Sequence, residues 1–208
     1  MKDKKAETLS AAIAALKNSA VIVFPTETLY GLGADALNPV AVEKVYRLKG
    51  RDPANPIPVL VANRNMLDRL VADVPPLAAR LIDQFWPGPL TLVLPARKGI
   101  PRPLLNSSGG VGVRISSQSI ASELVKELGR PLTATSANLS GMPPAHTVEE
   151  AKKYFAAKIE IFLDGGELTS KTGSTVAAVN GNKIKIIRAG EIARSELERV
   201  VGKDKIAP

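Results

Sequence analysis

Short apolar runs alternate along this chain with stretches of helical spacing, and that alternation constrains its fold most. The runs are VIVF (21–24), IPVLVA (57–62), LTLVLPA (90–96), VGVRI (111–115), LTATS (132–136) and IEIFLD (159–164), each read as a strand. Apolar residues at 9, 12, 13 and 16 predict a first helix with a basic start, and 76–85 predicts another. Asn38-Pro39 opens a helix that Gly50 closes, and Gly129 ends one running from about Gln118 to Leu128. Thr147-Val-Glu-Glu150 has capping-box spacing. STVAAV and KIKIIR flank Asn180-Gly181-Asn182, which predicts a hairpin. Strands and helices intermix with at least one hairpin, so the expectation is one α/β domain over 1–208, with a core at about 8–200 and a mixed sheet. The Pro/Gly-rich stretch 98–110 is read as the mobile loop.

Composition excludes several chemistries. Without cysteine there is no disulfide, thiolate nucleophile or Cys-based zinc site, and His146 is the only histidine. Lys, Arg, Ser, Thr, Asn and carboxylates remain to act. No run approaches the roughly 18 apolar residues of a membrane span, so a cytoplasmic protein without membrane contact is expected. A net charge of +8 favours anionic partners, nucleotides or RNA among them, and also fits a plain basic protein.

Four places invite a site reading beside a bland one. Lys49-Gly50-Arg51 ends a helix, where cations suit the helix dipole, but a stiff proline-rich segment follows that suits phosphate binding by a fork and a point charge. Ser136 and Asn138 close an apolar strand, as ligand-crevice residues or as turn formers, and look cheap to replace for folding. Hairpin pairing leaves Ser174 and Arg188 near one end of the sheet. Arg114, inside an apolar strand, should be paired or ligand-facing. The stretch 165–172 imitates a phosphate-binding loop around Lys171, but Ser170 replaces its second glycine and a strand follows, so we reject it. In PTETLYGLG (25–33), hydroxyls and glycines crowd together straight after a strand, as a plain connection or as the floor of a small-molecule site.

Together, PTETLYGLG, KGR followed by NP, FWPGPLTLVLP, VGVR, SANLSG, GSTV and RAG resemble the YrdC/Sua5 family of threonylcarbamoyl-AMP synthases, in order and over nearly the whole chain. The resemblance implies a twisted mixed sheet with flanking helices around an open, positively lined cavity. It implies synthesis of L-threonylcarbamoyladenylate and pyrophosphate from L-threonine, bicarbonate and ATP, for t6A modification of tRNA. Mg2+ is implied on the ATP phosphates, without protein ligands. By the same resemblance Lys49, Arg51, Ser136 and Asn138 are catalytic; Thr28, Tyr30, Arg114 and Ser174 bind L-threonine; and Arg51, Asn55, Ser136, Asn138 and Arg188 bind ATP. The glycines of 31–33 would then let the backbone approach the amino acid. Partners implied are a separate threonylcarbamoyl transferase and a tRNA or dsRNA contact. Leu60 departs from the histidine many members carry, and the second domain of Sua5-type members has no room after Val201. The alternatives are a non-catalytic RNA-binding module of the same fold, which 4% aromatic content disfavours, and the carbamoyl-transfer relative of hydrogenase maturation, which carries cysteine-rich zinc fingers.

Overall fold

The computed structural model describes residues 2–170 and 172–207, so the rejected phosphate-loop reading at Lys171 falls outside the described residues. The elements in order are α1 (Lys2–Lys17), β1 (Ile22–Pro25), β2 (Tyr30–Gly33), α2 (Pro39–Lys49), β3 (Val59–Leu60), α3 (Arg64–Leu67), α4 (Pro76–Phe85), β4 (Leu90–Pro95), β5 (Gly110–Arg114), α5 (Ser119–Leu128), β6 (Leu132–Thr133), β7 (Thr135–Ser136), α6 (Val148–Phe155), β8 (Thr175–Asn180), β9 (Lys183–Arg188) and α7 (Arg194–Val201). They form a three-stranded sheet, β1-β2-β7, and a six-stranded mixed sheet, β6-β3-β5-β4-β8-β9. Helix α1 packs on α5 and α4 on α7.

Local chemistry sets the ends of α2. The Asn38 side chain accepts from the amides of Val40 (3.0 Å) and Ala41 (3.3 Å), Pro39 supplies a pre-set φ, and Gly50 closes the helix at φ 58°. Its buried face reads Ala41, Val42, Val45, Tyr46 and then Lys49. In β4, Leu90, Leu92 and Leu94 are buried on one face and Thr91 turns to the other.

Four expectations change. PTETLYGLG is a hairpin: β1 pairs antiparallel with β2, and Thr26 to Leu29 make the turn. Gly31 and Gly33 serve its packing. A Cβ on Gly33 would lie 2.8 Å from the Phe24 ring, and one on Gly31 3.3 Å, so the glycines make room for a buried phenylalanine. IPVLVA contributes only Val59–Leu60 to the ladder, preceded by Pro56 and Pro58, which carry no N–H. IEIFLD is not a strand. Val23 N–H donates to Ile161 (2.9 Å) and Leu163 N–H to Val23 (2.8 Å), but the next rung would need an amide from Pro25. LTATS is two strands in two sheets: Leu132–Thr133 pairs with β3 and Thr135–Ser136 with β2. The short α3, begun by Asn63, had no expectation.

Replacing Asn38 by alanine removes the α2 cap and a 2.7 Å bond to Ser19. We expect a loss of about 1–2 kcal/mol, a fall in Tm of roughly 2–8 °C by thermal melt.

Candidate functional site

The cavity lies where the shared stretch 132–136 passes from one sheet to the other, and it has a volume of about 240 Å3. Its wall includes Arg51, Arg114, Arg188, Thr28, Ser136 and Ser174, with Tyr30 and Asn138 beside them. Larger hollows exist, such as one of about 520 Å3 between α1, α2 and residues 158–161, but they collect none of the expected site residues.

The β1–β2 turn builds one side. Thr26 Oγ1 accepts from the amides of Thr28 (3.2 Å) and Leu29 (3.1 Å), donates to the Leu29 carbonyl (2.7 Å), and meets Thr28 Oγ1 at 3.1 Å. Thr28 is therefore held in the wall with its hydroxyl fixed. Tyr30 is wholly buried. Its hydroxyl donates to the Gly166 carbonyl (2.8 Å) and accepts from Gly165 N–H (2.9 Å), and burial pushes the phenol up to about 12. That oxygen clasps the 164–166 loop, and Tyr30 borders the cavity.

Lys49 is placed differently from Arg51. It is the last residue of α2, 2% exposed, and outside the cavity wall. Its Nζ donates to the Ser136 carbonyl (2.5 Å), the Asn138 carbonyl (2.8 Å) and Asn138 Oδ1 (3.2 Å). All three ammonium donors are thus used on the strand end behind the site. Burial, with Arg51's charge nearby, pulls the ammonium down to about 8. Asn138 in turn accepts from Ser136 Oγ (2.6 Å) and donates to the carbonyls of Leu139 (3.0 Å) and Met142 (2.5 Å). A side chain so engaged is not cheap to replace for folding.

Arg51 does reach the cavity. Its Nε donates to the Asn55 carbonyl (2.8 Å) and Nη2 lies 3.4 Å from the Pro56 carbonyl. Asn55 is exposed and acts through this backbone carbonyl; its side chain is not in the wall. The hairpin register holds as expected: Arg188 Nη2 donates to the Ser174 carbonyl (2.7 Å) and Oγ (3.1 Å). Gly190 is required there, since a Cβ would lie 2.3 Å from the Gly173 carbonyl. Burial, then the charges of Arg114 and Arg51, lower Arg188's proton affinity.

Arg114 satisfies both readings, because it lines the cavity and is paired. Its Nη1 lies 2.5 Å from Glu27 Oε1, and Ser116 Oγ donates to the other carboxylate oxygen. Burial lowers the guanidinium's proton affinity and Glu27 opposes the shift. Sequence reasoning missed Glu27, Ser116 and Thr91, whose Oγ1 meets Ser174 Oγ at 2.8 Å. The polar residue inside L-T-L was the available signal for Thr91. His146 stands apart, its N–H on Glu150 and its Nδ1 3.3 Å from the Leu168 carbonyl.

The profile of the Sua5/YciO/YrdC family, described as "Telomere recombination", matches residues 14–190. Threonylcarbamoyl-AMP synthase of Pyrococcus abyssi is 37% identical over 93% of this chain and 57% of its own length. The protein of that name from Photobacterium profundum is 35% identical over 76% of this chain and 87% of its own. The crystal structure of P. abyssi Sua5 complexed with L-threonine superposes with a TM-score of 0.91 at 36% identity, over 96% of this chain and 59% of that one. The chain thus spans a little over half of the P. abyssi protein.

Lys49 yields a signed prediction. Its ordinary value is 10.5 and its folded value about 8, so between those pH values the unfolded chain binds a proton that the folded chain does not. Its contribution to stability therefore rises with pH across that window. Denaturant midpoints of the native chain should gain on those of Lys49→Met from pH 7.5 to 10.5; parallel curves would show an unshifted lysine.

Proposed function

The chain belongs to the Sua5/YciO/YrdC family, and from that membership we propose that it makes L-threonylcarbamoyladenylate and pyrophosphate from L-threonine, bicarbonate and ATP. The observation that carries this reading is the meeting of Arg51, Arg114 and Arg188 with the hydroxyls of Thr28, Ser136 and Ser174 around one small cavity. The threonine-bound P. abyssi structure supports the amino acid as a substrate.

The chemistry needs little acid–base help from the protein. The threonine amine adds to the carbon of CO2 or bicarbonate to give a carbamate. A carbamate oxygen then attacks the α-phosphorus, and the bond to the β-phosphate oxygen breaks to release pyrophosphate. No carboxylate or imidazole lines the cavity among the described residues, and no side chain there is assigned as base for the amine. The larger obstacle is bringing two anions together. Unit charges at 4 Å interact by about 4 kcal/mol at an effective dielectric near 20, and the guanidinium groups offset that repulsion. The fixed hydroxyls orient what the arginines attract. A volume of about 240 Å3 is below the roughly 300–1,000 Å3 of sites that enclose a drug-sized ligand. It suits the amino acid and the reacting phosphate, with the rest of the nucleotide outside. Magnesium would arrive with the ATP phosphates as part of that substrate.

The product would pass to a separate transferase acting on tRNA, in the cytoplasm. No helix among the described residues is long and apolar enough to cross a membrane. The net charge of +8 supports a tRNA or dsRNA contact in that hand-over.

Mass spectrometry of the product from ATP, bicarbonate and L-threonine tests the activity directly. Pyrophosphate release should require threonine and bicarbonate together, and equal release without threonine would refute the reading. L-serine should be several-fold poorer, because a methyl against the Val59 and Leu60 side of the wall contributes about 1 kcal/mol. Arg51→Lys should lower kcat/KM by roughly 30- to 150-fold, the loss of about 2–3 kcal/mol from a charged forked contact. An unchanged value would remove Arg51 from the site.

A further inference from the structure

The three cavity arginines are not equivalent. Arg51 is held by the carbonyls of Asn55 and Pro56, and Arg188 by the carbonyl and hydroxyl of Ser174. These partners are neutral, and among the described residues neither arginine has a carboxylate within 4.0 Å. Each therefore presents its full charge. Arg114 is the deepest of the three and has Glu27 against it, with side-chain exposures of 6% and 13% for the pair. Ser116 fixes the other Glu27 oxygen, so the carboxylate cannot rotate away from the guanidinium. Glu27 itself stands at the β1–β2 turn between Thr26 and Thr28, outside the cavity wall.

We propose that Glu27 is a positioning and specificity residue: by neutralising Arg114 alone, it reserves that guanidinium for the single carboxylate of an amino acid and leaves Arg51 and Arg188 to the polyphosphate. The physical case rests on competition. A bare guanidinium in the most buried corner would be the strongest anion trap in the cavity, and a multiply charged phosphate gains more from it than a carboxylate does. With Glu27 in place the pair is close to neutral as seen from a distance. A ligand must then be recognised by the remaining N–H donors of the fork, which suits a planar carboxylate at short range. Glu27 thus acts through Arg114 and need not touch the substrate. The inference rests on the functional reading above, and it concerns how that site tells its two anionic ligands apart.

Calorimetric titration of L-threonine and of inorganic pyrophosphate, each alone, tests it without requiring turnover. Glu27→Gln keeps the size and one acceptor but removes the charge. It should bind pyrophosphate roughly tenfold more tightly and change L-threonine by much less, so the preference between the two ligands shifts toward pyrophosphate, with the gain fading as salt is raised. Ser116→Ala keeps the charge and loosens the carboxylate, so it should weaken threonine and leave pyrophosphate unchanged. If Glu27→Gln does not fold, Glu27→Asp with Ser116→Ala carries the test, and the aspartate should restore the native preference for threonine. A folded Glu27→Gln that binds both ligands like the native chain overturns the proposal. Native protein that binds pyrophosphate but not L-threonine overturns the functional reading, and this inference falls with it.

Discussion

Both sheets of this protein share one stretch of chain, and the site exists because they do. Leu132 and Thr133 belong to the six-stranded sheet, Thr135 and Ser136 to the three-stranded one, and Ala134 is the step between. Thr133 Oγ1 stitches the step to the β2 side, donating to the Leu32 carbonyl (3.1 Å) and accepting from Ala34 N–H (2.9 Å). The step leaves β3 and β5 on one side of a gap and the β1–β2 turn on the other. Arg114 comes from the first wall and Thr28 from the second, while Ser136 lies on the shared strand itself.

Two charged side chains then fix what the backbone has brought near. Lys49 binds the far end of the shared stretch to the end of α2, and the Arg114–Glu27 pair crosses from β5 to the β1–β2 turn. Lys49 and Arg114 are both buried, so removing what either bonds to would leave a charge unpaired inside the protein. They therefore act chiefly as registers. They oblige the two walls to meet at one spacing, and the Thr26 clasp and the Asn138 bonds then set individual hydroxyls.

How much of this is legible in the sequence follows from how local each cause is. The α2 boundaries and the β8–β9 hairpin were readable because their caps and turn residues act within a few positions. The division of LTATS was not, since strand pattern does not name a sheet and the partners, β3 and β2, lie far back along the chain. The failure of 159–164 to form a strand likewise has its cause in Pro25, across the sheet. Tyr30–Gly33 was hidden by glycines that read as turn formers but accommodate the Phe24 ring. The inward orientation of Lys49 was legible from spacing. After Ala41, Val42, Val45 and Tyr46, the next inward position of α2 is 49, so the lysine had to point into the protein. Arg114 was correctly seen as needing a partner, but nothing local pointed to Glu27.

The shared strand also governs how the cavity can breathe. Two sheets joined only by loops can slide or hinge as separate bodies, but these are stapled at Ala134 by a ladder on each side. Relative rotation there would break rungs of both sheets at once, so motion on that flank is limited to small elastic displacements. The opposite flank is different. Residues 165–170 have no strand partner among the described residues: Tyr30 Oη and Asp164 hold Gly165 and Gly166, Leu168 N–H donates to the His146 carbonyl (2.9 Å), and Glu191 holds Ser170. Single bonds of that kind open far more often than strand ladders. The arginine that a ladder strand contributes, Arg114, therefore belongs to the stiffer flank of the cavity.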